Sequence, residues 1–164
     1  MTDRKICVIT GVGPGTGSAL ARRFTAGGYR VAMLARNQQR LHALEAELDG
    51  AKGYGCDVSD PDQVERTAAA IERDLGTPSI LIHNAVGGAF GSFQDIDPAV
   101  LNQNFQVNTM ALLHLARRLA PAMVAADRAD GRHSRLCGTA QCPEYRGDLS
   151  YRPCCTGGKC LPSR

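Results

Sequence analysis

The chain has 164 residues, enough for one domain with a buried core, and 43% hydrophobic against 21% charged residues is the balance of a globular protein. No apolar run is long enough for a membrane-spanning helix, and a net charge of +3 is too small to argue for a nucleic-acid partner. The N-terminal "MTDRKICVIT" leads straight into a strand-like run with no apolar signal core, so a cytoplasmic location is expected.

Residues 5–10, "KICVIT", form a short β-branched run and predict a buried strand. The glycine-rich "GVGPGTG" follows, then "SALARRFTAGG", in which Leu20, Ala21 and Phe24 share a helical face and Gly27-Gly28 supplies the stop. "YRVAMLA" at 29–35 predicts a second strand, and residues 37–48 an amphipathic helix with Leu41, Leu44 and Leu48 on one side. "AKGYGCDV" at 51–58 reads as a third strand. The next helix has Pro61 placed for its first turn and Gly76 as its stop. "SILIHNA" at 79–85 is the fourth strand, and residues 97–126 read as one long helix, bent near Pro121. Strand and helix thus alternate four times with short connections, which predicts an α/β fold: a doubly wound parallel sheet of Rossmann type.

The pattern then breaks. Residues 1–129 carry 13 basic and 13 acidic side chains, so the whole positive excess lies in residues 130–164. Those 35 residues hold five of the seven cysteines and no Val, Ile, Phe or Met. A fifth strand is due there, but "GRHSRLCGTAQC" is not a β-branched run, so no fifth parallel strand of normal length is expected. The expected organisation is a dinucleotide-binding domain over 1–129 and an irregular, cysteine-rich tail over 130–164 that is not a domain of its own.

"TGVGPGTG" at 10–17 sits between the first strand and the first helix, the context that gives a glycine pattern meaning. Glycines allow a sharp turn and a close backbone approach to a pyrophosphate, and the helix N-terminus offers free N–H groups. Thr10-Gly11-x-x-x-Gly15-x-Gly17 resembles the TGxxxGxG motif of the short-chain dehydrogenase/reductase family. Asp57-Val58 resembles that family's adenine-contacting pair. "HNAV" at 83–86 resembles its NNAG motif through Asn84 and Ala85, with His83 and Val86 departing from it. "FQVNTMALL" at 105–113 resembles its long helix, with Asn108 at the position of the active-site asparagine. The four landmarks fall in order over residues 1–126.

The resemblance implies a nicotinamide cofactor, hydride transfer to or from a carbonyl or alcohol carbon of a small substrate, and usually a homo-oligomer. Thr10, Gly11, Gly13, Gly15, Thr16, Gly17, Arg36, Asp57, Val58, Asn84 and Ala85 are then the cofactor-binding candidates. The second strand ends Leu34-Ala35-Arg36-Asn37, with no acid to hold a ribose 2′-hydroxyl. Arg36 is placed to pair with a 2′-phosphate, which predicts NADP(H) over NAD(H). His83, at the end of a buried strand, is expected to be packed and hydrogen-bonded rather than catalytic.

In the family the chemistry also needs a serine and a Tyr-x-x-x-Lys pair, whose spacing puts phenol and ammonium on one helical face so that the cation lowers the phenol pKa. Here Leu149 lies four residues after Tyr145, and Cys155 four after Tyr151. Tyr151 and Lys159 are separated by Pro153 and by Gly157-Gly158, about 12 Å along any helix that could span them. Ser134 comes too early, and Ser150 adjoins the tyrosine. Tyr151 therefore stands as a catalytic candidate beside Asn108, and catalysis is expected to be impaired. Cys137-x4-Cys142 and Cys154-Cys155-x4-Cys160 do not make the paired knuckles of a zinc site, so no metal is expected. A reading-frame shift near residue 130, or a truncated coding sequence, accounts for the composition break, the missing strand run and the missing Tyr-x-x-x-Lys together. The alternative function is then a fragment that at most binds a dinucleotide.

Overall fold

A computed structural model describes residues 4–130 and the backbone of residues 135–138, with side chains described over residues 4–126. Five strands form one sheet: β1 (Ile6–Thr10), β2 (Arg30–Ala35), β3 (Ala51–Gly55), β4 (Ile80–His83) and β5 (Arg135–Gly138). Their spatial order is β3-β2-β1-β4-β5 and every neighbouring pair is parallel. The helices are α1 (Thr16–Ala26), α2 (Gln38–Glu47), α3 (Pro61–Asp74), α4 (Pro98–Phe105) and α5 (Ala111–Asp130), with a π-helical segment at Gln106–Met110 joining the last two.

Alternation along β1 explains the layers. Every residue of β1 is buried, because the strand is covered on both faces. Cys7 and Ile9 point to one face, where they pack with Val31, Met33, Ala21, Leu41 and Leu44 under α1 and α2. Ile6 and Val8 point to the other, with Leu34, Leu81, Ile71, Leu115 and Leu119 under α3 and α5. Within this second layer, α5 and α3 are also tied by polar contacts. Arg118 of α5 donates to Glu65 at 2.8 Å and to Glu72 at 2.7 Å, both on α3.

Helix starts follow local chemistry. Asp60 accepts from the Asp62 and Gln63 amides with Pro61 in the first turn, and Asp97 accepts from the Ala99 amide with Pro98 in the same role. Asn37 accepts from the Arg40 amide at the head of α2.

Two expectations are corrected. A fifth parallel strand exists: β5 has four residues, as many as β4, and runs from Ile80↔Arg135 to His83↔Gly138 in register. A parallel ladder is made by backbone groups, so "RLCG" completes it without a β-branched run. The long helix is also not uniform, because the π segment widens it between α4 and α5. One extra residue in the turn shifts the phase of everything downstream. Leu101 and Phe105, before it, are half exposed, while Leu115 and Leu119, after it, are buried. Pro121 does lie inside α5. No helix among the described residues is long and apolar enough to cross a membrane.

Candidate functional site

The strand order reverses at β1, whose two neighbours β2 and β4 lead to opposite halves of the sheet. In such sheets a crevice opens beyond the carboxyl ends of the strands at this point. A cleft of about 720 Å³ lies there. Its floor is the turn from β1 into α1, and its walls are the ends of β2 and β3, the segment after β4, and the α4–π segment helix.

The glycines of the turn have separate jobs. Gly11 has φ +67°, and a Cβ there would stand 2.5 Å from the Ala85 Cα, so this glycine lets the turn rest directly on the backbone after β4. A Cβ on Gly17 would collide with the Gly11 carbonyl oxygen, so Gly17 lets the first turn of α1 close onto the loop. Gly15 differs: nothing among the described residues lies within 4 Å of a Cβ built there. The space beside Gly15 belongs to the cleft. No side chain caps α1 at Gly15, and no acid lies in its first turn. Thr16 and Gly17 line the same space. Gly13 braces the loop, donating to the Gly11 carbonyl at 2.8 Å and accepting from the Ser18 amide at 3.1 Å. An uncapped helix start with a glycine cradle before it fits an anionic pyrophosphate.

At the end of β2, Arg36 and Arg40 both line the cleft. Arg36 is exposed and Arg40 half-buried, and no ion pair among the described residues involves either. The first turn of α2 holds no acid. Beyond β3, Cys56 and the buried Val58 form the third wall. Burial raises the Cys56 thiol above its ordinary pKa. Asp57 is not among the lining residues. Its carboxylate accepts from the Ser59 amide at 3.0 Å and from the Ser59 hydroxyl at 2.7 Å.

The segment after β4 is bonded to the β1 turn. The Thr10 hydroxyl, fully buried, accepts from the Asn84 and Ala85 amides at 3.1 and 3.2 Å. Asn84 Nδ2 donates to the Gly11 carbonyl at 2.9 Å. Asn108 stands in the π segment and is bonded twice to Gly87, which lines the cleft. His83 is buried and hydrogen-bonded, as expected of a packed residue.

The structure thus brings Gly11, Gly13, Gly15, Thr16, Gly17, Arg36, Val58, Asn84 and Ala85 around one cleft, with Thr10 bonded to Asn84 and Ala85, Asn108 bonded to Gly87 of its wall, and the Asp57 carboxylate bonded to Ser59. Tyr151 lies outside the described residues, as do Cys142, Cys154, Cys155 and Cys160. Among the described residues no His, Cys, Asp and Glu cluster is placed to hold a metal. Sequence reasoning missed Arg40, Gln103, Asn104 and Val107 as lining residues. For Arg40 a signal existed: it follows Arg36 by four residues at a helix start. For the other three none did, because the fold of a distant segment brings them there.

The model of the short chain dehydrogenase family matches residues 5–132. The mouse epidermal retinol dehydrogenase 2 is 32% identical over 126 residues, covering 74% of this chain and 41% of that protein. The serine 3-dehydrogenase of Agrobacterium fabrum is 35% identical over 120 residues, covering 71% and 48%. A metagenomic short-chain oxidoreductase solved in complex with NADP superposes with a TM-score of 0.74 at 32% identity, over 82% of this chain and 61% of that one. The chain spans less than half the length of the curated relatives it matches. With the glycine cradle and the Asn84-Ala85 and Asn108 landmarks around one cleft, the chain belongs to the short-chain dehydrogenase/reductase family.

Proposed function

We propose that this chain binds NADP(H) in the cleft at the end of β1, as the cofactor half of an oxidoreductase acting on a small carbonyl or alcohol, and that its own catalysis is impaired. One observation carries the cofactor reading. The open cradle at Gly15 and two arginines without acidic partners among the described residues face the same cleft, so a pyrophosphate and a 2′-phosphate both find complementary charge. Thr16 and Gly17 would hold the pyrophosphate, Arg36 and Arg40 the 2′-phosphate, and Cys56 and Val58 the adenine side. A bound nicotinamide would supply or accept the hydride. Impairment rests on the sequence, in which no tyrosine is followed four residues later by lysine.

Titration of the chain with NADPH and NADH tests the first part. NADPH should bind more tightly, and Arg36→Asp should reverse the order; equal affinities for the unmodified chain would refute the preference. Following reduced nicotinamide absorbance with a panel of aldehydes and ketones tests the second. Turnover that disappears in Tyr151→Phe would show a working active site.

A further inference from the structure

His83 ends β4 at 2% exposure and lies between three parts of the cleft. Its Nδ1 is 3.0 Å from the Thr10 hydroxyl oxygen, and its Nε2 is 3.0 Å from the carbonyl oxygen of Val107 in the π segment. A carbonyl only accepts, so Nε2 must carry a proton and donate. In the neutral ring Nδ1 is then an acceptor, and the Thr10 O–H must donate to it. This leaves both lone pairs of the Thr10 oxygen for the Asn84 and Ala85 amides, which occupy them at 3.1 and 3.2 Å. Each atom in the chain of bonds is used once. The opposite tautomer would set two donors against each other at Thr10 and two lone pairs against each other at Val107. Burial, which pushes the ring below its ordinary pKa, agrees with a neutral imidazole.

The far ends of this relay are all cleft wall. Ala85, Asn84 and Val107 line it, and Gly11 rests on Ala85 with no room for a Cβ between them. We propose that His83, held as its Nε2–H tautomer, is a positioning residue for dinucleotide binding: it fixes the Thr10 hydroxyl so that the segment after β4 stays seated against the phosphate turn and the π segment. This rests on the reading of the cleft as a dinucleotide site. It also gives a role to the position at which "HNAV" departs from the family motif.

Two measurements test it. The first needs no cofactor. Long-range proton–nitrogen NMR spectra of the labelled chain, with His42, His114 and His133 changed to Gln, should show a bare Nδ1 and a protonated Nε2 for His83 near neutral pH. A Nδ1–H tautomer or rapid exchange between the two would overturn the assignment. The second is titration with NADPH. Thr10→Ser keeps the hydroxyl and should bind within about twofold of the unmodified chain, whereas Thr10→Val and His83→Phe should each weaken binding about tenfold. The double variant should be no weaker than either single one, because both break the same relay. His83→Asn, which keeps an acceptor near Thr10 but not the Val107 bond, should fall between. If His83→Phe does not fold, Thr10→Val against Thr10→Ser and the spectrum decide. Undiminished affinity in Thr10→Val or His83→Phe overturns the positioning role alone, while a chain that binds no dinucleotide at all overturns the reading of the cleft beneath it.

Discussion

Asn108 grips both sides of Gly87: its Oδ1 accepts from the Gly87 N–H at 2.7 Å, and its Nδ2 donates to the Gly87 carbonyl at 3.0 Å. The amide of one side chain thus replaces a strand neighbour for a residue that has left the sheet. The π turn puts Asn108 opposite Gly87, and a Cβ on Gly87 would meet the Asn104 side-chain oxygen of α4 at 2.5 Å, so that side chain would have to move. Asn108→Asp keeps shape and acceptor but sets a carboxylate against the Gly87 carbonyl. It should cost about 1–2 kcal/mol of stability and weaken dinucleotide binding. Thermal melts and a cofactor titration of the same preparation check this, and unchanged values in both would show the clamp to be idle.

The glycines of the phosphate turn should separate folding from binding. Gly11→Ala forces a Cβ into a positive-φ position already touching Ala85, so it should lose about 3 kcal/mol or more. Gly15→Ala meets nothing among the described residues. Its melting temperature should stay near that of the unmodified chain while dinucleotide affinity falls, because the methyl group fills the space that the proposed pyrophosphate site would need. Equal effects on stability from the two variants would contradict this division.

The same glycines show what a sequence can carry. "TGVGPGTG" between a buried strand and a helix start encodes a local event, and so do Asp60-Pro61 and Asp97-Pro98 at their helix starts; all three were readable. The covered strands were readable because burial on both faces demands unbroken apolar runs, as in "CVI" and "VAML". β5 was not, since a short strand held by backbone pairing to one described neighbour needs no such run. The π segment was not either: it appears where Val107 and Asn108 find partners on β4 and the segment after it, and those contacts span more than twenty positions of sequence. Asp57 was placed in the cleft by family likeness, and only the fold shows its carboxylate turned to Ser59.

Self-association is expected at high concentration. Leu101, Phe105 and Leu113 are each about half exposed along the α4–α5 helix, and Phe90 and Phe93 are almost wholly exposed on the segment before it. Such apolar surface favours association. Sedimentation should show species larger than a monomer, reduced when Leu101 and Phe105 are both changed to Ser. A clean monomer at high concentration would refute this, and the Ser pair leaves the core untouched because neither residue is buried.

The acid limb of stability should report Asp74. Its carboxylate takes bonds from Lys52 at 2.9 Å and Arg73 at 2.8 Å, and these cations hold its pKa down to about 2 from an ordinary 3.8. A depressed carboxylate pKa stabilises the fold above the unfolded value, and the contribution is lost as pH falls from there through the folded value. Urea midpoints measured from about pH 5 down to about pH 3 should therefore fall more steeply for the unmodified chain than for Asp74→Asn. Parallel slopes would mean that the two cations are too exposed to matter.

Arg40 should matter for the 2′-phosphate at least as much as Arg36. Both arginines line the cleft, but they are held differently. Arg36 follows the end of β2 and is exposed, so its side chain must be ordered on binding, at a cost in rotamer freedom. Arg40 is half-buried, and its backbone amide is fixed by the Asn37 cap at 2.9 Å, so more of that ordering is already present in the folded chain. With no acid in the first turn of α2 and no ion pair to either arginine among the described residues, neither guanidinium has to leave a described partner to meet a phosphate. Arg40→Ala should weaken NADPH binding by about tenfold while moving NADH by less than about twofold. Arg40→Lys should recover only part of the loss, since an ammonium holds phosphate as a point charge without the planar fork. The ratio of NADPH to NADH dissociation constants is the quantity to measure. A ratio unchanged in Arg40→Ala, with Arg36→Asp still reversing it, would assign the discrimination to Arg36 alone.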